Sequence, residues 1–146
     1  MKNTLETPLG PLSVLFDEKG LVVRVLLGKG IFSEHVNPAV MERLHKYLSG
    51  VPVDFEDIAV SLKVTPFVHK VLRRVRQIPF GKTVTYGELA RELGTSSRAV
   101  GMALSRNPVP VIIPCHRVVG KGGRLVGFSS GLKWKRFLLE IEGCAE

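Results

Sequence analysis

The sequence predicts an α/β chain of the α+β kind: a small N-terminal β-hairpin/helix domain (residues 1–60) packed on a mainly helical C-terminal domain (residues 61–146). Three observations carry that expectation. Apolar residues alternate early in the chain, helix start and stop signals recur after position 65, and the sign of the charge changes near position 60. The 146 residues, 45% apolar and 23% charged, have globular composition and suffice for one ordinary domain or two small ones packed together.

In the first part, Leu12, Val14 and Phe16 alternate with smaller or polar neighbours. Asp17-Glu18-Lys19-Gly20 is a turn, and Leu21 to Leu27 is rich in aliphatic and β-branched residues. This is the pattern of a β-hairpin. Pro38 opens a helix through Leu48, with Val40, Leu44, Tyr47 and Leu48 on one face. Residues 49–64, with Gly50, Pro52, Asp54 and Asp57, form an irregular connection.

In the second part, Thr65 is an N-cap with Pro66 at the first helical position. Phe67, Val71, Val75 and Ile78 make one stripe, with Val68 and Leu72 beside it, and Pro79 and Gly81 end the helix. Thr85 and Glu88 have capping-box spacing; Tyr86, Leu89, Ala90 and Leu93 follow at helical spacing, and Gly94 stops the run. Thr95-Ser96 caps a third helix from about Ser97 to Arg106, with Val100, Ala103 and Leu104 inward. Two short helices joined by a tight turn make a helix-turn-helix, expected here in its winged form.

Residues 1–60 hold six Lys/Arg against eight Asp/Glu, and residues 61–146 hold fifteen against five. A basic half beside a near-neutral one points to a polyanionic partner, a solvated basic face being the alternative. No run approaches the roughly 18 apolar residues of a membrane span, and the N-terminus has no signal-peptide core. Two cysteines cannot make a disulfide framework. The expectation is a cytoplasmic chain (nuclear in a eukaryote), monomeric and without a membrane partner. No Gly-x-Gly-x-x-Gly is present and the Cys and His residues lack ligand spacing, so neither cofactor nor metal is expected.

The stretch from Asn107 to Gly120 carries the chemistry. Pro108, Pro110 and Pro114 forbid a regular helix and pre-set the backbone. Val111-Ile112-Ile113 should be buried, which places Cys115 at the end of a stiff apolar segment with His116 beside it. A thiol is mostly protonated at neutral pH, and a neighbouring imidazole can take its proton. The competing reading is a buried cysteine acting as a small hydrophobe next to an unrelated histidine.

Pro114-Cys115-His116-Arg117-Val118 with Asn107-Pro108 resembles the active-site signature of the O6-alkylguanine-DNA alkyltransferases. Phe80 to Ala90 is similar to that family's entry into its helix-turn-helix, and Arg98-Ala99-Val100-Gly101 to its recognition helix. Gly127-Phe128-Ser129-Ser130-Gly131 is similar to its active-site loop, and Leu138 to Gly143 to its last helix. The resemblance runs in order from about Pro66 to Gly143; residues 1–60 share only length and hairpin character.

The resemblance implies DNA repair by transfer of an alkyl group from O6 of guanine, with O4-alkylthymine a further possible substrate, in duplex DNA to the protein's own Cys115, once per chain. His116 would take the thiol proton through a water, Glu142 would hold His116, and Tyr86 would donate to guanine N3. Arg98 would fill the place of the flipped nucleotide, on a helix that enters the minor groove where small Ala99 and Gly101 allow close approach. Asn107 would tie that helix to the active-site turn. The carbonyls of Cys115 and Val118 would receive the guanine amine, the Ser129 N–H would approach O6, and Phe128, in place of the usual tyrosine, would wall the pocket. Two other readings use part of the pattern. A non-enzymatic lesion-binding relative would lack the acceptor cysteine, and a helix-turn-helix regulator would leave Cys115, His116 and Glu142 unexplained.

Overall fold

The computed structural model describes residues 2–144. The expected hairpin is present but belongs to a three-stranded antiparallel sheet in the order β1 (Thr4–Thr7), β2 (Gly10–Phe16), β3 (Val22–Leu27). Leu12 pairs with Leu27 and Val14 with Val25, so the alternating apolar residues of β2 face one side together. β1 pairs Leu5 with Leu12. Its four residues are too few and too polar to show alternation, which is why only two strands were legible. Asn3 locks its start by donating to the carbonyls of Val14 (3.0 Å) and Ile31 (2.7 Å).

Helix α1 (Pro38–Leu48) has the expected bounds, with the Asn37 side chain accepting from the Ala39 N–H. Its buried face is Val40, Met41, Leu44 and Tyr47, while Leu48 is half-buried. Helix α2 (Pro66–Val75) is capped by Thr65 and buries Val68, Val71, Leu72 and Val75. Phe67, expected on the stripe, lies in the first turn and is exposed. The face that packs is set by Val68 and the positions three, four and seven residues after it.

Helix α3 (Tyr86–Leu93) begins with both halves of the capping box and ends at Gly94, whose φ of 67° is the left-handed conformation a glycine cap supplies. Helix α4 (Ser97–Leu104) is capped by Ser96 and buries Val100, Ala103 and Leu104; it stops two residues before the expected end. A two-stranded parallel pair, β4 (Val84–Thr85) with β5 (Val118–Val119), ties the entrance of α3 to the segment after Cys115. Helix α5 (Leu132–Ile141) closes the described chain.

One buried cluster runs through both halves, from Leu12, Leu44 and Tyr47 to Leu72, Ile113, Cys115 and Leu138. Each large aliphatic side chain so buried contributes about 1.5–3 kcal/mol. Backbone bonds cross between the halves as well: Ser61 N–H donates to Val22 O at 2.8 Å and Val25 N–H to Pro108 O at 2.9 Å. Among the described residues no helix is long and apolar enough to cross a membrane.

Candidate active site

The segment leading to Cys115 is fixed from both sides. The Asn107 side chain accepts from Val109 N–H (2.9 Å) and donates to Ile113 O (3.0 Å). Ile113 N–H donates to Val109 O (3.0 Å). Between them Val111 has φ 77°, the left-handed region, in a β-branched residue. Such a conformation costs of order 1–3 kcal/mol and persists only where the surroundings over-determine it. Here Val111, Ile112 and Ile113 are essentially fully buried and prolines precede and follow them. A single 3-10 turn, Cys115–Arg117, then buries three consecutive polar or reactive side chains.

Behind Cys115 lies a carboxylate with five donors. Glu142 Oε2 receives His116 Nε2 at 2.6 Å, the Tyr47 hydroxyl at 2.5 Å and Arg117 Nη2 at 3.0 Å. Its Oε1 receives Arg117 Nε at 2.9 Å and the Gly81 N–H at 3.0 Å. Burial alone would push this carboxyl up; the hydrogen bond from His116, then those from Arg117 and Tyr47, outweigh it and hold it at about 2. His116 is fully buried, which lowers its pKa below the ordinary value against the pull of Glu142. It is therefore a neutral base, and Arg117 is the standing counter-charge. Nε2 faces the carboxylate and carries the proton, leaving Nδ1, which is buried without a hydrogen-bond partner among the described residues.

Cys115 opens on the other side into a cleft of about 930 Å³, lined also by Tyr86, Arg98, Gly101, Phe128 and Ser129. Arg91 and Lys121 join Arg98 in that lining, with no carboxylate among the described lining residues. Burial pushes the Cys115 thiol up to about 11, against a hydrogen bond with the Asn107 side chain and the charge of Lys135. The thiol is thus protonated at rest and needs a base. Lys135 is itself buried on α5, and burial brings it down to about 8. Its ammonium donates to Val126 O (2.9 Å), Gly127 O (3.1 Å) and the Tyr86 hydroxyl (3.3 Å), pinning the loop over the cleft. The Tyr86 hydroxyl donates to Val126 O at 2.9 Å, and burial raises its pKa to about 12, so it remains a donor. At Gly127, with φ +65°, an added Cβ would sit 3.4 Å from that hydroxyl.

Of the residues expected from sequence, Cys115, Tyr86, Arg98, Gly101, Phe128 and Ser129 meet at the cleft. His116 and Glu142 meet behind it. Asn107 supports the turn, Val118 lies in β5 against Val84, and Ala99 is half-buried on α4; none of these three side chains lines the cleft. Sequence reasoning missed Tyr47, Arg117 and Lys135. Lys135 shares a helical face with Trp134, Leu138 and Leu139, so a cation on an apolar stripe was the available signal. Tyr47 was placed on a buried face, where its hydroxyl requires a partner.

The family profile described as 6-O-methylguanine DNA methyltransferase, DNA binding domain, matches residues 66–144. A methylated-DNA–protein-cysteine methyltransferase of Saccharolobus islandicus is 42% identical over 141 residues, 94% of this chain and 92% of the relative. The chain belongs to the methylated-DNA–protein-cysteine methyltransferase family. A second methylated-DNA–protein-cysteine methyltransferase, from Methanopyrus kandleri, is 51% identical over 68% of this chain and 76% of its own. Among solved structures, the Mycobacterium tuberculosis OGT in complex with DNA superposes with a TM-score of 0.81 at 31% identity, covering 98% of this chain and 93% of that one. Membership thus extends to residues 1–60, for which the sequence motifs offered nothing specific.

Proposed function

We propose that the protein repairs O6-alkylguanine in duplex DNA by moving the alkyl group irreversibly onto Cys115. The observation that carries this reading is a buried thiol opening into a cation-lined cleft, with a neutral His116 and its Glu142 partner directly behind it. A base within a duplex cannot reach that thiol, so the nucleotide is flipped out at a cost of a few kcal/mol, with Arg98 taking its place. The Cys115 proton passes to His116 Nδ1, by way of a water in the family's mechanism. The thiolate attacks the alkyl carbon as the carbon–O6 bond breaks, and guanine leaves with the bonding pair. Tyr86, kept protonated, supplies a proton at N3, and the adjacent Lys135 ammonium steadies the phenolate. The product is a thioether, which no residue of the cleft can hydrolyse, so each chain acts once.

Support for a supporting domain over 1–60 and a working domain over 61–146 comes from the charge change near 60 and the irregular chain at 49–64. A cytoplasmic setting fits two free cysteines. Incubation with duplex DNA containing O6-methylguanine should add the mass of one methyl group per chain, mapped to the Cys115 peptide. DNA binding without a mass change would instead mark a lesion-binding or regulatory protein.

Arg98→Ala should slow repair of duplex DNA at least about tenfold while leaving reaction with free O6-benzylguanine nearly unchanged. Arg98 is exposed and lines the cleft, whereas His116 and Glu142 are not among the residues that line it. Equal losses on both substrates, in parallel single-turnover assays, would remove its role in flipping.

A further inference from the structure

We propose that Tyr47, contributed by the N-terminal half, is a positioning residue of the transfer reaction: it shares Glu142 with His116 and thereby sets how strongly His116 holds a proton. The inference rests on the reading above, in which His116 takes the proton of Cys115.

Tyr47 is fully buried, and its ring packs edge-on against Phe55 (5.5 Å between centroids) and Phe80 (5.9 Å). Those neighbours are apolar and would accept a phenyl ring equally well, so packing does not call for the hydroxyl. The hydroxyl makes a 2.5 Å bond to Glu142 Oε2, the same oxygen that His116 Nε2 contacts at 2.6 Å, and lies 3.2 Å from Nε2 itself. Its one proton goes to the carboxylate. The oxygen lone pairs are then what Nε2 meets, and both oxygens near Nε2 ask it to be the donor. This arrangement fixes the tautomer that leaves Nδ1 free. Burial, then the charge of Glu142, raises the Tyr47 hydroxyl well above its ordinary pKa, so it stays a donor throughout the working range.

Tyr47 and His116 are competitors for one oxygen. A hydrogen bond donated to a carboxylate draws off part of its charge, and that part no longer stabilises the imidazolium. The charged groups acting on His116 are Glu142, which favours its protonation, and Arg117 and Lys135, which oppose it alongside burial. Removing the Tyr47 hydroxyl leaves burial, Arg117 and Lys135 in place and returns carboxylate charge to His116. Its pKa therefore rises. Because the base must be neutral to accept the thiol proton, the acidic limb of the transfer rate moves to higher pH.

The test is the pH profile of single-turnover methyl transfer from O6-methylguanine duplex DNA by the full chain, with the titration of His116 followed by its ring 15N shifts. Tyr47→Phe should move both midpoints upward by on the order of half a pH unit, a roughly threefold loss of rate on the acid side. Site-specific 3-fluorotyrosine at position 47 keeps the ring and is a stronger donor. It should move both midpoints downward, and this arm remains readable if Tyr47→Phe does not fold. Profiles that superimpose on the unmodified protein's, or shifts of the same sign in both variants, would leave Tyr47 a packing residue and overturn the proposal. Failure of the unmodified protein to gain a methyl at Cys115 would instead overturn the function on which it rests.

Discussion

Cys115→Ser is expected to abolish alkyl transfer and to leave duplex binding within about twofold. A serine hydroxyl is far less acidic than a thiol, and this site already pushes the thiol to about 11 by burial. Neutral His116, its pKa lowered by burial, cannot generate an alkoxide there. Loss of a nucleophile that works as a unit with its base costs on the order of 10⁴–10⁶ in rate, so no methyl gain should be detected by mass. Serine is slightly smaller and fits the same turn, whose backbone is held by Asn107 and by the bond from Cys115 N–H to Ile113 O (2.8 Å). Arg98, Arg91 and Lys121, which line the cleft, are untouched. Fluorescence anisotropy on lesion and undamaged duplexes would measure binding beside the mass assay. Loss of binding together with transfer would make Cys115 structural.

Glu142→Ala should destabilise the protein by about 3–5 kcal/mol, because it strands the buried Arg117 guanidinium without its counter-charge. Four further donors lose their acceptor: the Gly81 N–H, His116, Tyr47 and the second Arg117 nitrogen. For a chain of this size the melting temperature should fall by roughly 10 °C or more. The pH dependence has a definite sign. Glu142's folded pKa of about 2 lies below the ordinary carboxyl value of 4.5. Its contribution is fully present above that ordinary value and is lost as pH falls towards 2. Denaturant unfolding between pH 7 and 3 should therefore show a decline in the native protein that Glu142→Gln lacks. A Glu142→Ala protein within about 1 kcal/mol of the original would mean that the network is not a stability element.

Elements bounded by local chemistry were legible in the sequence. Asn37-Pro38, Thr65-Pro66, the Thr85/Glu88 box and Gly94 each fix a helix end through bonds made within a few residues. Cys115 and His116 could be paired because they are adjacent and follow a run of prolines. Glu142 was reachable only through a family resemblance, since its partners lie far away in sequence. Tyr47 was placed on the correct face of α1, yet nothing local says that its hydroxyl ends on Glu142. The left-handed Val111 runs against the preference of a β-branched residue. No propensity argument finds it, because tertiary burial imposes it. Phe67 shows the reverse error, in which periodicity included a residue that the first turn of α2 leaves outside.

The shared carboxylate also bears on the order in which the molecule is built. The chain separations closed at Glu142 are 95 residues to Tyr47, 61 to Gly81, 26 to His116 and 25 to Arg117. The capping bonds of α3, Gly94 and α4 join residues only two to four apart. Loop-closure entropy rises with separation, so nearby contacts nucleate readily and distant ones wait on them. The helical hairpin of α3 and α4 is thus assembled by early, short-range encounters. The cluster around Glu142 comes together only when segments from both halves have condensed around one carboxylate. The order of assembly therefore runs from the helical hairpin to the buried carboxylate, local structure first and the join between the halves last.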